Sequence, residues 1–183
     1  MITVGCLMKK LTLSILVLGA LFGTSVQANN TITFLGEVSD QTCEVAINGN
    51  AANPSVLLPT VSTAQLATAG SVAGETPFTI SVSGCTVNAT QALPIKTVFL
   101  GNNVTTAGNL GNTGTATNVA LQLLDSVGGT EINLTVGSAV DGLNVAAGAD
   151  SASHDFAVQY ISETGSATAG RVISSVQYAV SYL

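Results

Sequence analysis

The sequence predicts an all-β domain, a sandwich or barrel of short strands. Period-2 alternation of apolar and polar residues recurs along the chain, and turn-forming clusters separate the alternating stretches. The composition agrees: only 8% of residues are charged against 46% hydrophobic, with abundant glycine and no tryptophan. Apolar content that high with charge that low excludes a disordered chain. At 183 residues the length suits one domain with short appendages. Four cations in all exclude a binder that works by neutralising phosphates, and a single histidine leaves little for imidazole-based catalysis or metal binding.

The N-terminal stretch has the layout of a secretory signal. Lys9 and Lys10 form a basic region, residues 11–22 an apolar run, and Val26-Gln27-Ala28 a small-residue cleavage site. The run is shorter than the ~20 residues a spanning helix needs. Met8, directly before the lysines, is an alternative start to Met1. Cleavage after residue 28 leaves a chain of 155 residues. Lys96 and Arg171 then stand against ten acids, a formal charge of −8. Cys6 leaves with the signal. Cys43 and Cys85 remain, and in an exported protein such a pair reads as one disulfide, ahead of two buried thiols or a metal pair. Closing a loop of ~40 residues stabilises a fold by about 3–4 kcal/mol in the chain-entropy picture.

The strands follow in order. Ile32, Phe34, Gly36 and Val38 share one face of a stretch that opens the exported chain with no turn before it. Thr63–Ala69 alone looks helical, and short. Strands are then expected around Phe78/Ile80/Val82, Val119/Leu121/Leu123, Ile132/Leu134/Val136 and Phe156/Val158/Tyr160. A last one carries Val176, Tyr178, Val180 and Tyr182 on one face and runs into Leu183. Turns are expected at 101–103, 108–114, Gly128-Gly129, Asp141-Gly142 and 163–165. A free apolar strand at one end and an apolar edge at the other suggest head-to-tail assembly, although both could equally pair within one molecule.

These residues carry a resemblance. Thr31–Val38 followed by Thr42-Cys43, then Leu57–Ser62, Gly74–Cys85, Ala116–Leu124, Phe156–Tyr160, Ala167–Gly170 and the terminal strand together resemble the chaperone–usher pilins, in particular the major subunit of type 1-like fimbriae. The likeness covers essentially the whole chain after the signal. It implies an incomplete immunoglobulin-like sandwich that lacks its last strand and is completed by a donor strand from a neighbouring subunit, a form of β-augmentation. The implied organisation is a signal peptide over 1–28, a donor-strand extension over 29–40 and a pilin domain over 41–183.

On this likeness Ile32, Phe34 and Val38 are the donor's apolar knobs, and Gly36 allows close backbone approach. Gly170, 14th from the end, and Tyr182, penultimate, match the family's chaperone-recognition pattern. Val176, Tyr178 and Val180 continue the acceptor groove, and Cys43 and Cys85 match the family's bridge between its first two strands. The implied partners are neighbouring pilin subunits, a periplasmic chaperone and an outer-membrane usher, with no nucleic acid, metal or cofactor. The implied location is a surface fimbria reached through the periplasm. A shaft subunit is favoured over a minor adaptor or an adhesin, because tip adhesins of the family carry an additional domain and no donor strand.

Nothing points to an enzyme. His154-Asp155 is the one conspicuous acid–base pair, and no activated serine or oxyanion hole accompanies it. It reads as a surface histidine in a loop at a strand start. Gly108, Gly111 and Gly114 fit neither a dinucleotide nor a phosphate loop. Asp125, Asp141 and Asp150 lack the dense spacing of a calcium loop.

Overall fold

The computed structural model describes residues 37–39, 43–52 and 54–182. The expected signal peptide over 1–28, and Ile32, Phe34 and Gly36 of the expected donor strand, lie outside the described residues.

Eight strands follow in chain order: β1 (Glu44–Ile47), β2 (Ser71–Ser83), β3 (Leu93–Gly101), β4 (Leu110–Gly111), β5 (Ala120–Leu124), β6 (Ser138–Val145), β7 (Ala152–Ser162) and β8 (Val176–Ser181). They form two antiparallel sheets, β1-β2-β7-β5-β4 and β6-β3-β8. The short helix is a single 3₁₀ turn at Thr63–Leu66, where the Ser62 amide donates to Gln65 Oε1 at 3.0 Å.

Three phenylalanines join the sheets. Phe78 and Phe156 are partners across β2 and β7, with ring centroids 5.7 Å apart. Phe99 of β3 meets Phe156 edge-on at 5.2 Å. Around them Ile80, Val82, Ile95, Val145 and Leu134 are fully buried. Edge-to-face and offset ring pairs add about 0.5–1.5 kcal/mol beyond the area they bury. The Cys43–Cys85 disulfide, with Cα atoms 4.6 Å apart, staples the residue before β1 to the second residue past the end of β2.

The structure corrects four expectations. Ile132, Leu134 and Val136 do not form a strand. Ile132 and Leu134 are buried and Val136 is exposed, and the stretch carries only a single bridge, Leu124 to Glu131. The Asn133 side chain accepts from the Thr135 amide and turns the chain there. Asp141-Gly142 is no turn but lies inside β6, opposite the register shift between Ile95 and Thr97. Gly142 has φ +143°, and a Cβ there would come within 2.6 Å of the His154 ring. His154 is not in a loop either. It sits within β7, half-buried, paired with Ile80, its ring edge-on to Phe156 at 4.6 Å. Finally, β5 does not alternate: all five of its residues are buried, Gln122 included.

Among the described residues, Thr97 Oγ1 is a buried side-chain oxygen without a hydrogen-bond partner, in a residue 1% exposed. Leaving such a group unpaired costs about 1–3 kcal/mol, so the near-isosteric Thr97→Val is expected to stabilise the fold by about 1 kcal/mol or more in urea unfolding. Cys85→Ser, by contrast, is expected to destabilise it by about 2–5 kcal/mol, read as a lower unfolding midpoint under non-reducing conditions.

Candidate functional site

The two edges of the smaller sheet differ. At one edge, Leu143 and Val145 of β6 are 2% and 0% exposed. On the central strand, Ile95, Thr97 and Phe99 are 1% exposed each. At the other edge the inward row of β8, Val176, Tyr178 and Val180, continued by Tyr182, packs on the core yet stays half-buried. The register with β3 is continuous from Gly101–Val176 to Lys96–Ser181. Among the described residues no strand pairs with the far side of β8.

Facing β8 across the gap is an extended segment, Pro54–Leu58. Pro54, Val56 and Leu58 are half-buried while Ser55 and Leu57 face out. No backbone hydrogen bond engages residues 54–60 among the described residues. Between this segment and β8 runs a cleft of about 290 Å³ floored by Phe78, Phe99, Leu110, Leu121, Leu123 and Val158. It thus has an apolar floor, on one side a strand edge with which no other described strand pairs, and on the other an extended segment without ladder partners among the described residues. That geometry accepts an extended strand whose alternate side chains point inward.

Beyond the start of β8 a second hollow of about 600 Å³ lies between residues 60–66 and 167–173. Tyr160 lines it, and burial pushes its phenol above the usual tyrosine range. Gly170 stands at its rim, six residues before β8. A Cβ on Gly170 would fall 2.4 Å from the Ala116 amide nitrogen and 2.7 Å from Ala116 Cα. This close approach lets the Ala116 amide donate to the Arg171 carbonyl at 3.0 Å and the Arg171 amide to Thr115 Oγ1 at 2.9 Å.

The structure therefore brings Val176, Tyr178, Val180 and Tyr182 together on one strand and sets Gly170 apart at the groove's approach. Val38 is fully exposed and belongs to no core in this chain. Sequence reasoning missed two features. The Pro54–Leu58 wall was hidden because Leu57, on its outer face, interrupts the alternation. The role of Glu37 was also missed: its carboxylate accepts from Ser181 Oγ at 2.7 Å and from the Tyr182 amide at 3.0 Å. The Tyr182 hydroxyl in turn accepts from the Cys43 amide at 2.9 Å. Asp125, Asp141 and His154, far apart in sequence, border a third hollow of about 480 Å³. There the His154 ring nitrogen lies 2.7 Å from the Asp125 carbonyl oxygen.

An all-β sandwich in which, among the described residues, no strand pairs with one apolar edge has the arrangement of an incomplete immunoglobulin-like fold. The sequence model of the family described as fimbrial protein matches residues 32–183, and the chain belongs to that family. It is 40% identical over 176 residues to the F17 fimbrial protein of Escherichia coli, covering 91% of this chain and 96% of that one. It is 40% identical over 161 residues to the major fimbrial subunit SMF-1 of Stenotrophomonas maltophilia (strain K279a), covering 85% and 93%. The fold is similar to the crystal structure of the P pilus rod subunit PapA, with a TM-score of 0.57 at 17% identity, covering 76% of this chain and 99% of that one.

Replacing Gly170 by alanine drives a methyl into the Ala116 backbone. The expected cost is about 1–3 kcal/mol, measured as a lower thermal midpoint of the purified chain.

Proposed function

We propose that this chain is the shaft subunit of a fimbria, polymerising head to tail by donor-strand exchange. The observation that carries the reading is the half-covered apolar row of β8 beside a ready cleft. In this reading the extension over 29–40 of one subunit lies along β8 of the next. Ile32, Phe34 and Val38 fill the cleft and Gly36 passes where the backbones come closest. Full exposure of Val38 supports its availability to another chain. Burying three large apolar side chains contributes roughly 5–9 kcal/mol, and each ladder hydrogen bond a net ~0.5–1.5 kcal/mol.

Before assembly the same edge needs a temporary cover. A periplasmic chaperone supplies it, reading Gly170 and the end of β8 at Tyr182, and an outer-membrane usher exchanges it for the next subunit. Export by the signal over 1–28 precedes these steps. The likeness to a major fimbrial subunit supports a place in the shaft over an adaptor or adhesin.

Two measurements test this. Wild-type fibres are expected to run as a ladder on unboiled SDS gels, and Phe34→Asp, which places a charge in the apolar cleft, to abolish the ladder. A ladder that persists in Phe34→Asp overturns the donor role. Deletion of the protein is expected to remove long fibres under the electron microscope, and their survival would exclude the shaft role.

A further inference from the structure

The open edge beside the cleft is longer than β8 itself. On its other side the chain is bonded at every second residue. The Ser175 carbonyl accepts from the Asn102 amide, the Ile173 carbonyl from the Thr113 amide and the Arg171 carbonyl from the Ala116 amide. The Ile173 amide donates to Asn112 Oδ1 at 2.8 Å, and the Arg171 amide to Thr115 Oγ1 at 2.9 Å. Alternate residues of an extended chain direct their backbone groups to opposite sides. Val172 and Ser174 therefore share the open side with Val176, Tyr178 and Val180, and no described backbone group bonds theirs. The edge open to an incoming strand begins at Val172, upstream of β8.

The added length runs beside the second hollow, of about 600 Å³. On an otherwise apolar lining the hollow carries the hydroxyl-bearing Thr60, Ser62, Thr63, Tyr160 and Thr168 together with Arg171, and none of its lining residues is an acid. Arg171 is one of two cations beyond residue 28. Lys96, the other, pairs with Asp141 at 4.0 Å, and among the described residues no carboxylate pairs with Arg171. The extension over 29–40 has the complementary charge: Glu37 and Asp40, with no cation. Laid out as a strand, it puts Asp40 on the face of Ile32, Phe34, Gly36 and Val38, just beyond the last knob, and Glu37 on the opposite face. A carboxylate on the face that enters an apolar cleft has to meet a cation or hydrogen-bond donors there.

We propose that Arg171 binds the Asp40 carboxylate of a neighbouring copy of this chain, in the hollow just upstream of the β8 cleft. This rests on the donor-strand reading above. The donor then runs antiparallel to β8, with Val38 near Val176 and Asp40 beside Val172 and Ser174. The apolar lining lowers the local dielectric around the pair, so the attraction is stronger there than between exposed side chains.

Paired charge reversals test this in fibres of the full chain, read as ladders on unboiled SDS gels. Arg171→Asp alone sets two acids against each other at every junction, and Asp40→Arg alone sets two cations. Each is expected to lower the ladder yield by about tenfold or more, the scale of juxtaposed like charges. Co-expressed in equal amounts, the two variants are expected to restore the ladder with alternating copies, because each donor then meets the opposite charge on its neighbour. A contact made within one chain, or a purely structural role of either residue, leaves two defects that co-expression does not repair. A mixture that fails to recover overturns the proposal, as does an undiminished ladder in either single variant. Should a reversal variant not accumulate, Arg171→Gln is compared with wild type. Wild-type ladders are expected to come apart about fivefold faster in ~1 M salt, and Arg171→Gln ladders to respond little. An equal response to salt overturns the proposal. Absence of a wild-type ladder, or a ladder that survives Phe34→Asp, would instead overturn donor-strand exchange itself.

Discussion

A strand that ends a sheet with an apolar row facing inward must be covered, and β8 is covered by nothing among the described residues. The rest of the molecule is arranged around that constraint. The phenylalanine trio and the tightly buried β6 edge complete the core on one side, so the deficit is confined to one edge rather than spread through the sandwich. The Pro54–Leu58 segment lines the cleft opposite β8 and makes no ladder of its own among the described residues. A fold that is well packed everywhere else can carry such an edge without collapsing onto it.

Charge plays almost no part in holding the body together. Among the described residues Lys96 and Asp141 form an ion pair at 4.0 Å, between exposed side chains. Uncharged donors around isolated carboxylates take its place. Glu163 Oε1 accepts from Thr105 Oγ1 at 2.6 Å and Asn109 Nδ2 at 2.7 Å. Gln159 donates to Gln122 at 2.8 Å, and Gln122 to Glu131 at 2.7 Å, a short relay on the buried β5. Such bonds have fixed geometry and respond little to salt, which suits a protein exposed to changing surroundings outside the cell.

Much of this was legible in the sequence. Alternation identified β2, β8 and the first half of β7, because each buries one face more deeply than the other. It failed where that condition fails. Both faces of β5 are covered, so Gln122 reads as a surface residue and is buried. Ile132 and Leu134 alternate in burial outside any strand: their amides donate to the Leu123 and Gly108 carbonyls, and Asn133 redirects the backbone between them. β3 and β6 passed unnoticed, since a proline, a lysine and an Asp-Gly pair interrupt their patterns, and the register shift between them absorbs what looks like a turn. The cysteine pair and the inward row of β8 were readable as residue types in order. The opposite wall of the cleft and the Glu37 clasp were not, since each depends on contacts between segments far apart in the chain.

The disulfide also decides how the domain carries a mechanical load. Tension applied at the N-terminal side enters through the 37–43 stretch and reaches Cys43. There the covalent path branches, and the bond to Cys85 bypasses a sequence separation of 42 residues. The loop so bypassed contains β1, the Pro54–Leu58 wall and all of β2. Those elements are shielded from extension for as long as the bond is intact. The Pro54–Leu58 wall of the cleft is therefore spared the load that passes from Cys43 to Cys85.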